Sequence, residues 1–143
     1  MSVIHQVIYA TNVHQGGGEV LLIPILESFK NKSNTLFVLD ERLQIPDSIV
    51  LKGTVLRVKP TIVGRLYAEL LVFSQVKLET KVLCFGNLPP LFTHSKNEVV
   101  FVQNRYLLED VKLKDFKIWV RVRITFERLW LRLTAHKVNK FIV

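Results

Sequence analysis

The chain has 143 residues, of which 49% are hydrophobic, and a formal net charge of +8 at pH 7. This length predicts a single domain over residues 1–143 with a sizeable core, and the composition favours a folded globular chain over a disordered one. The single cysteine, Cys84, excludes an intramolecular disulfide and fits a reducing compartment. The N-terminus lacks a basic segment, and no charge-free apolar run reaches about 18 residues, so we expect neither a secretory signal nor a membrane span.

The predicted elements alternate between strands and helices along the chain. Strands are predicted at 5–10, 35–40, in the second half of 49–59, at 81–86 and at 98–104. Helices are predicted over 19–30, from residue 62 with Thr61 as its N-cap, and over 116–140, before a final apolar run at 141–143. Pro24 should kink or delay the first helix, and the prolines within 87–97 predict irregular structure there.

This alternation predicts an α/β fold with a mostly parallel sheet of about five to six strands. In such sheets, ligands bind beyond the carboxyl ends of the strands. The polar residues at those ends are therefore the candidates for function, and they are the loop 12–19, Asp40, Asn87, Gln103 and Asn104.

Three consecutive glycines, Gly16, Gly17 and Gly18, follow the first predicted strand and open the first helix. Backbone N–H groups at a helix N-terminus suit a phosphate or another anion, although a tight strand–helix turn without a ligand also fits. The loop is not a Walker sequence, because no Lys-Ser/Thr pair follows. It is also a poor dinucleotide fingerprint, since Leu21 stands where the third glycine belongs.

Asp40 ends the second predicted strand, where an acid that binds a ribose would stand in an NAD(P)-binding domain, although a turn or capping role fits as well. His14, within the glycine loop, could contact a ligand or be an ordinary exposed histidine. The four histidines and Cys84 show no metal-ligand spacing, and no pair of carboxylates stands out as an acid/base couple. The residues therefore predict no metal, no resident cofactor and no catalytic group.

The excess positive charge is concentrated at the end of the chain, since residues 112–143 hold nine Lys/Arg and two Asp/Glu. A basic segment favours an anionic partner such as nucleic acid or the cytoplasmic membrane surface, but it is equally typical of a solvated helix face. Helical spacing predicts one apolar stripe on the last helix and a polar set opposite it. The stripe is Trp119, Val122, Phe126, Leu129 and Leu133, and the polar set is Arg121, Thr125, Arg128 and Arg132.

Three stretches together resemble a known family. In order and in element placement, "NVHQGGGEVLLIPILESF", "KVLCFGNLPPLF" and "VVFVQNRYLL" resemble the N-terminal half of GT-B glycosyltransferases of family 4. The resemblance covers essentially the whole chain. It implies a Rossmann-like sheet with helices on both faces, which is half of a GT-B fold, and a retaining transfer of sugar from a nucleotide-sugar donor to a polysaccharide or lipid-linked glycan.

The resemblance also implies roles for the candidate residues. Gly16, Gly17 and Gly18 would approach the donor diphosphate or the acceptor, and Asn87, Gln103 and Asn104 would line the acceptor side of the cleft. Many relatives have histidine at the position of Gln103. Because glutamine cannot transfer protons near neutral pH, we expect Gln103 to bind rather than catalyse.

The family's donor-binding domain is absent from this sequence, so we do not expect activity from this chain alone. Relatives that build surface polysaccharides work at the cytoplasmic membrane face, which implies a cytoplasmic and peripheral location, no nucleic acid partner, and lipid contacts through Arg121, Arg128 and Arg132. Trp119 and Trp130 could lie at that interface, but for Trp119 we expect packing against the sheet.

Two other functions stay open. The chain could be a non-catalytic anchoring subunit of a split transferase, or an inactive truncated product; an anchoring subunit would expose an apolar patch where a donor-domain chain docks. It could instead be an NAD(P)-binding domain that uses Gly16, Gly18 and Asp40.

Overall fold

A computed structural model describes residues 3–143 and confirms the α/β class. Six strands form one sheet in the order β3-β2-β1-β4-β5-β6, and every neighbouring pair is parallel. The fold is Rossmann-like. The strands are β1 (Gln6–Ala10), β2 (Thr35–Asp40), β3 (Thr54–Val58), β4 (Lys81–Phe85), β5 (Asn97–Phe101) and β6 (Lys140–Ile142).

Three helices cover the two faces of the sheet: α1 (Gly16–Phe29), α2 (Ile62–Gln75) and α3 (Ile118–Thr134). Leu22 and Leu26 of α1 pack on one face of the sheet. Helices α2 and α3 pack on the other face, through a core that includes Val72 of α2 and Ile124 of α3. Parallel strands require such crossovers, because the chain must return to the amino ends of the strands before each new strand begins.

Strand β2 lies at the centre of the core. All six of its residues are buried, as expected for a parallel strand that is covered on both faces. Its run of apolar residues is therefore continuous rather than alternating, and this is why the sequence predicts its bounds correctly. The predicted N-cap of α2 is also confirmed, since the Thr61 hydroxyl accepts a hydrogen bond from the Gly64 N–H at 3.0 Å.

Helix α1 begins earlier than predicted. It starts at Gly16 rather than Glu19, so the glycines form its first turn instead of a loop before it. The helix also continues past Pro24, which is exposed. Proline there removes only the hydrogen bond to the carbonyl four residues earlier, and that carbonyl belongs to the solvent-facing side of the helix.

The predicted orientation of α3 is wrong. The residues that face the core are Ile124, Glu127, Leu131 and Thr134. The apolar stripe lies on the outside, with exposed fractions of 81% for Trp119, 56% for Val122, 57% for Phe126, 55% for Leu129 and 64% for Leu133. Helical spacing identifies the apolar stripe, but which side of α3 packs in the core depends on the shape and polarity of the sheet beneath it.

Helix α2 also exposes an apolar stripe. The two helices are neighbours, because the Arg65 guanidinium lies over the Trp130 ring at 5.6 Å. We call the two exposed stripes together the α2–α3 surface; it consists of Ile62, Val63, Leu66, Tyr67, Leu70 and Phe73 from α2 and of Trp119, Val122, Phe126, Leu129 and Leu133 from α3.

Candidate functional site

The candidate site lies where the strand order reverses, between β1 and β4. The connection after β1 leads to β2 on one side of the β1–β4 pair, and the connection after β4 leads to β5 on the other side. The two connections therefore diverge and leave a crevice at the carboxyl ends of β1 and β4. The loops that follow β1, β4 and β5 meet there. Asn87, Gln103 and Asn104 lie on the loops after β4 and β5, and the three glycines lie in the first turn of α1, whereas Asp40 ends β2.

The first turn of α1 lies at this crevice, and its first backbone N–H groups have no partner within the helix. Its N-cap residue, Gln15, makes no side-chain cap, so no side chain of the cap takes up the first N–H groups of the helix. Gly16 has a φ of 70°, in the left-handed region that favours glycine. A Cβ atom built on Gly16 or Gly17 would meet nothing within 4 Å. The two residues therefore face open space, into which an anionic group could fit.

Gly18 is packed quite differently from its two neighbours. A Cβ atom there would stand 2.8 Å from Gln103 Oε1 and 3.1 Å from Val13 Cγ1. The side-chain amide of Gln103 thus lies directly against the start of α1. The loop after β5 and the first turn of α1, which are 85 residues apart in sequence, form one continuous wall of the crevice.

A two-residue turn after β4 fixes the other wall. Gly86 has a φ of 105° and Asn87 a φ of 76°. Asn87 Oδ1 accepts hydrogen bonds from the backbone N–H of Gln103 at 2.7 Å and of Asn104 at 2.9 Å. Asn104 Oδ1 in turn accepts from the Tyr106 N–H at 3.1 Å. The structure therefore brings Asn87, Gln103 and Asn104 together, and Asn87 serves to hold the loop that carries Gln103.

Asp40, at the end of β2, is already occupied by protein partners. Its buried carboxylate accepts hydrogen bonds from Arg42 N and Nε, both at 2.9 Å, and from Arg42 Nη2 at 2.7 Å. Burial acts to raise the pKa of Asp40, but the Arg42 hydrogen bonds outweigh it and lower that pKa. A carboxylate held in this way is poorly available to a ribose, so its geometry fits the turn role better than the dinucleotide one.

His14 lies close to the same carboxylate. Its Nδ1 atom is 3.9 Å from Asp40 Oδ2. Within residues 3–143 this buried nitrogen has no hydrogen-bond partner. The imidazole is a quarter exposed, and it lies between the loop after β1 and the end of β2.

A buried polar cluster lies beneath the crevice on the α2 side of the sheet, and sequence analysis did not find it. The Tyr9 hydroxyl donates to Glu69 Oε1 at 2.9 Å, and the Leu91 N–H donates to Glu69 Oε2 at 2.9 Å. Burial raises the pKa of both the Tyr9 phenol and the Glu69 carboxyl. The Trp130 Nε1 donates to the Pro89 carbonyl at 3.0 Å. These hydrogen bonds hold the irregular segment after β4 in place. No local sequence pattern predicts them, since Tyr9 and Glu69 are 60 residues apart.

The three arginines predicted to contact an anion differ in availability. Arg128 Nε donates to the Tyr106 carbonyl at 2.9 Å and Nη2 to the Glu109 carbonyl at 2.8 Å. It therefore ties α3 to the chain after β5. Arg121 and Arg132 are exposed.

Three further observations concern metal binding, membrane crossing and a second cavity. Within residues 3–143 there is no group of three or more His, Cys, Asp or Glu side chains that could hold a metal ion. None of the helices in that range has the length and apolar character needed to cross a bilayer. A cavity of about 690 Å³ opens at the amino edge of the sheet, beside His5, Thr80 and His94, far from the crevice.

Comparison with family models, curated proteins and solved structures found no match for this chain.

Proposed function

We propose that this chain is the acceptor-side half of a retaining GT-B glycosyltransferase, which moves sugar from a nucleotide-sugar donor to a polysaccharide or lipid-linked glycan. A second Rossmann-like unit, on the same polypeptide or on a separate chain, would bind most of the donor. The proposed location is the cytoplasm, at the inner face of the membrane, where lipid-linked acceptors are found. The sequence resemblance implies the reaction class, and the crevice at the carboxyl ends of β1 and β4 is the proposed binding site.

The observation that carries the proposal is the contact between Gly18 and Gln103. It joins an uncapped helix N-terminus to a side-chain amide at the switch point of the sheet. The free N–H groups suit a diphosphate, and an amide that both donates and accepts suits the hydroxyls of a sugar. No titratable side chain replaces the histidine of many relatives at position 103, so the chain's part is to bind and orient the acceptor.

The position of the exposed apolar patch bears on the alternative, an anchoring subunit that docks a donor-domain chain. Such a partner would face the carboxyl edge of the sheet, across the crevice. The α2–α3 surface instead lies on the helices that cover one face of the sheet. The patch therefore favours a contact other than the one that would close the crevice.

The test is a titration of the isotope-labelled chain, followed by backbone amide NMR shifts. The ligands are inorganic pyrophosphate, a panel of nucleotide sugars and NAD. We expect weak binding that shifts the amides of Gly16, Gly17 and Gln103. Gly17→Ala should abolish those shifts, because its methyl enters the open space without meeting any protein atom. The matched control is Ser28→Ala, in the exposed last turn of the same helix, which should bind as the wild type does.

Two outcomes would contradict the proposal. One is an absence of shifts at these amides with pyrophosphate and with every nucleotide sugar. The other is saturable NAD binding that shifts the end of β2 and weakens in Asp40→Ala, which would assign the crevice to a dinucleotide.

A further inference from the structure

The outer side of α2 is apolar along the length of the helix. Six of its residues are between 42% and 80% exposed, namely Ile62, Val63, Leu66, Tyr67, Leu70 and Phe73, and we call them the α2 face. Together they expose on the order of 700 Å², whereas the largest apolar patch on a typical monomer covers about 300–600 Å². An apolar face of this size marks a surface that a partner covers.

The α2 face carries no charge. The helix contains two charged residues, Arg65 and Glu69, and both side chains are engaged elsewhere. The Arg65 guanidinium lies over the Trp130 ring of α3 at 5.6 Å. The Glu69 side chain is 3% exposed and accepts a hydrogen bond from the Tyr9 hydroxyl within the core. The exposed side of α2 is therefore apolar without a charged rim of its own.

This lack of charge distinguishes between possible occupants. A bilayer of anionic lipid or an acidic protein is recognised through cations around an apolar face, and α2 offers none. A partner with charges at its centre would lose their hydration here without gaining an ion pair. An identical α2 face brings apolar area and no unpaired charge, and two-fold pairing is the commonest arrangement of soluble oligomers.

The spacing of the side chains suits the packing of one helix against another. Ile62, Leu66 and Leu70 recur every four residues and form one ridge, and Val63 and Tyr67 form the next ridge. The groove between the two ridges can receive the same ridge of an identical helix. Leu66 and Leu70 lie on either side of the midpoint of this 14-residue helix, so they would lie nearest a two-fold axis.

We infer that a second copy of this chain docks on the α2 face, in a two-fold dimer whose two α2 helices pack against each other. Two such faces amount to about 1,400 Å², within the roughly 1,200–2,000 Å² that specific protein–protein interfaces bury. The inference goes beyond the proposed function and does not depend on it, because none of the six residues belongs to the crevice.

The experiment is sedimentation velocity of the full chain over a series of micromolar concentrations, at low and high salt. We expect a monomer–dimer equilibrium that salt strengthens, because each copy has a net charge of +8 and salt screens the repulsion between copies. A contact made through cations would weaken with salt instead. Dilution of the isotope-labelled chain should shift the backbone amides of α2 and leave those of β1 unchanged.

Lysine substitutions test the α2 face directly. Leu70→Lys and Val63→Lys change side chains that are 61% and 76% exposed, so the circular dichroism spectrum should stay the same. Each should raise the dissociation constant of the dimer at least about thirtyfold, because an unpaired charge would be buried on both copies. The matched control is Val20→Lys, at a 70% exposed position of α1, which adds the same charge and should change that constant by no more than about twofold.

The inference is overturned if the chain stays monomeric at every concentration and at both salts, or if salt weakens the association. It is also overturned if Val20→Lys weakens the dimer as much as Leu70→Lys does, or if dilution leaves the α2 amides unchanged. Binding of a purely monomeric chain to phosphatidylcholine vesicles, lost in Leu70→Lys, would assign the α2 face to a bilayer. The pyrophosphate titration at Gly17 is independent of these outcomes, so a failure of the dimer and a failure of the proposed function are separable.

Discussion

The side-chain amide of Asn87 should be the most sensitive support of the crevice. Asn87→Ala removes the acceptor of two backbone hydrogen bonds, from Gln103 and Asn104, each worth about 0.5–1.5 kcal/mol. It also places a Cβ residue without a local hydrogen bond at a φ of 76°, which costs about 1–2 kcal/mol. We expect a loss of about 2–5 kcal/mol in the free energy of unfolding, toward the lower end because water reaches this half-buried position.

Two matched variants separate the contributions. Asn87→Gly keeps the left-handed backbone and loses only the amide, so it should be about 1 kcal/mol less damaging than Asn87→Ala. Asn87→Asp keeps an acceptor oxygen and should lie within about 0.5 kcal/mol of the wild type. Urea unfolding followed by the fluorescence of half-buried Trp130 measures all three. The reasoning is refuted if alanine and glycine are equally damaging, or if alanine costs less than about 0.5 kcal/mol.

Three further predictions concern the buried ionisable groups. Burial, only partly opposed by the hydrogen bond from Thr93, raises the pKa of Glu98 to about 7. The contribution of Glu98 to stability should therefore be complete below about pH 4.5 and be lost as the pH rises to about 7, a change of the order of 3 kcal/mol. Glu98→Gln should remove this part of the pH profile of urea midpoints. The lowered pKa of Asp40 acts with the opposite sign, because its contribution to stability is present at neutral pH and is lost in acid as Asp40 becomes protonated. Arg42→Ala should move that loss to higher pH. An unchanged midpoint of acid unfolding would contradict the assigned hydrogen bonds. Burial also raises the pKa of the fully buried Cys84 thiol, so its labelling by a thiol reagent should occur only as urea unfolds the chain. Fast labelling in native buffer would show instead that the core around Cys84 is open.

Much of the fold was predictable because its signals are local. A continuous apolar run with a terminal aspartate gave the bounds of β2, and the threonine before an apolar repeat gave the start of α2. Two adjacent prolines excluded regular structure after β4. Alternation of the two element types then leaves a parallel sheet as the natural arrangement, since each helix returns the chain to the same edge.

The candidate site was predictable only in outline. Parallel topology implies that strand ends share an edge, so Asn87, Gln103 and Asn104 were expected to be near one another. Which atoms meet was not predictable. The capture of Asp40 by Arg42, the contact of Gln103 with Gly18, and the Tyr9–Glu69 hydrogen bond each depend on loop conformations or on residues far apart in the chain.

The orientation of α3 shows where sequence information ends. Periodicity states that Trp119, Val122 and Phe126 share one side of a helix, but Ile124 and Leu131 give the opposite side an apolar stripe as well. The side that packs is decided by the shape and polarity of the sheet beneath it, together with the anchors from Arg128 and Trp130 to distant loops. By itself the sequence determined which elements form and in what order. Only the tertiary structure decided which of their faces are left exposed, because burial is a property of neighbours that are brought together by folding.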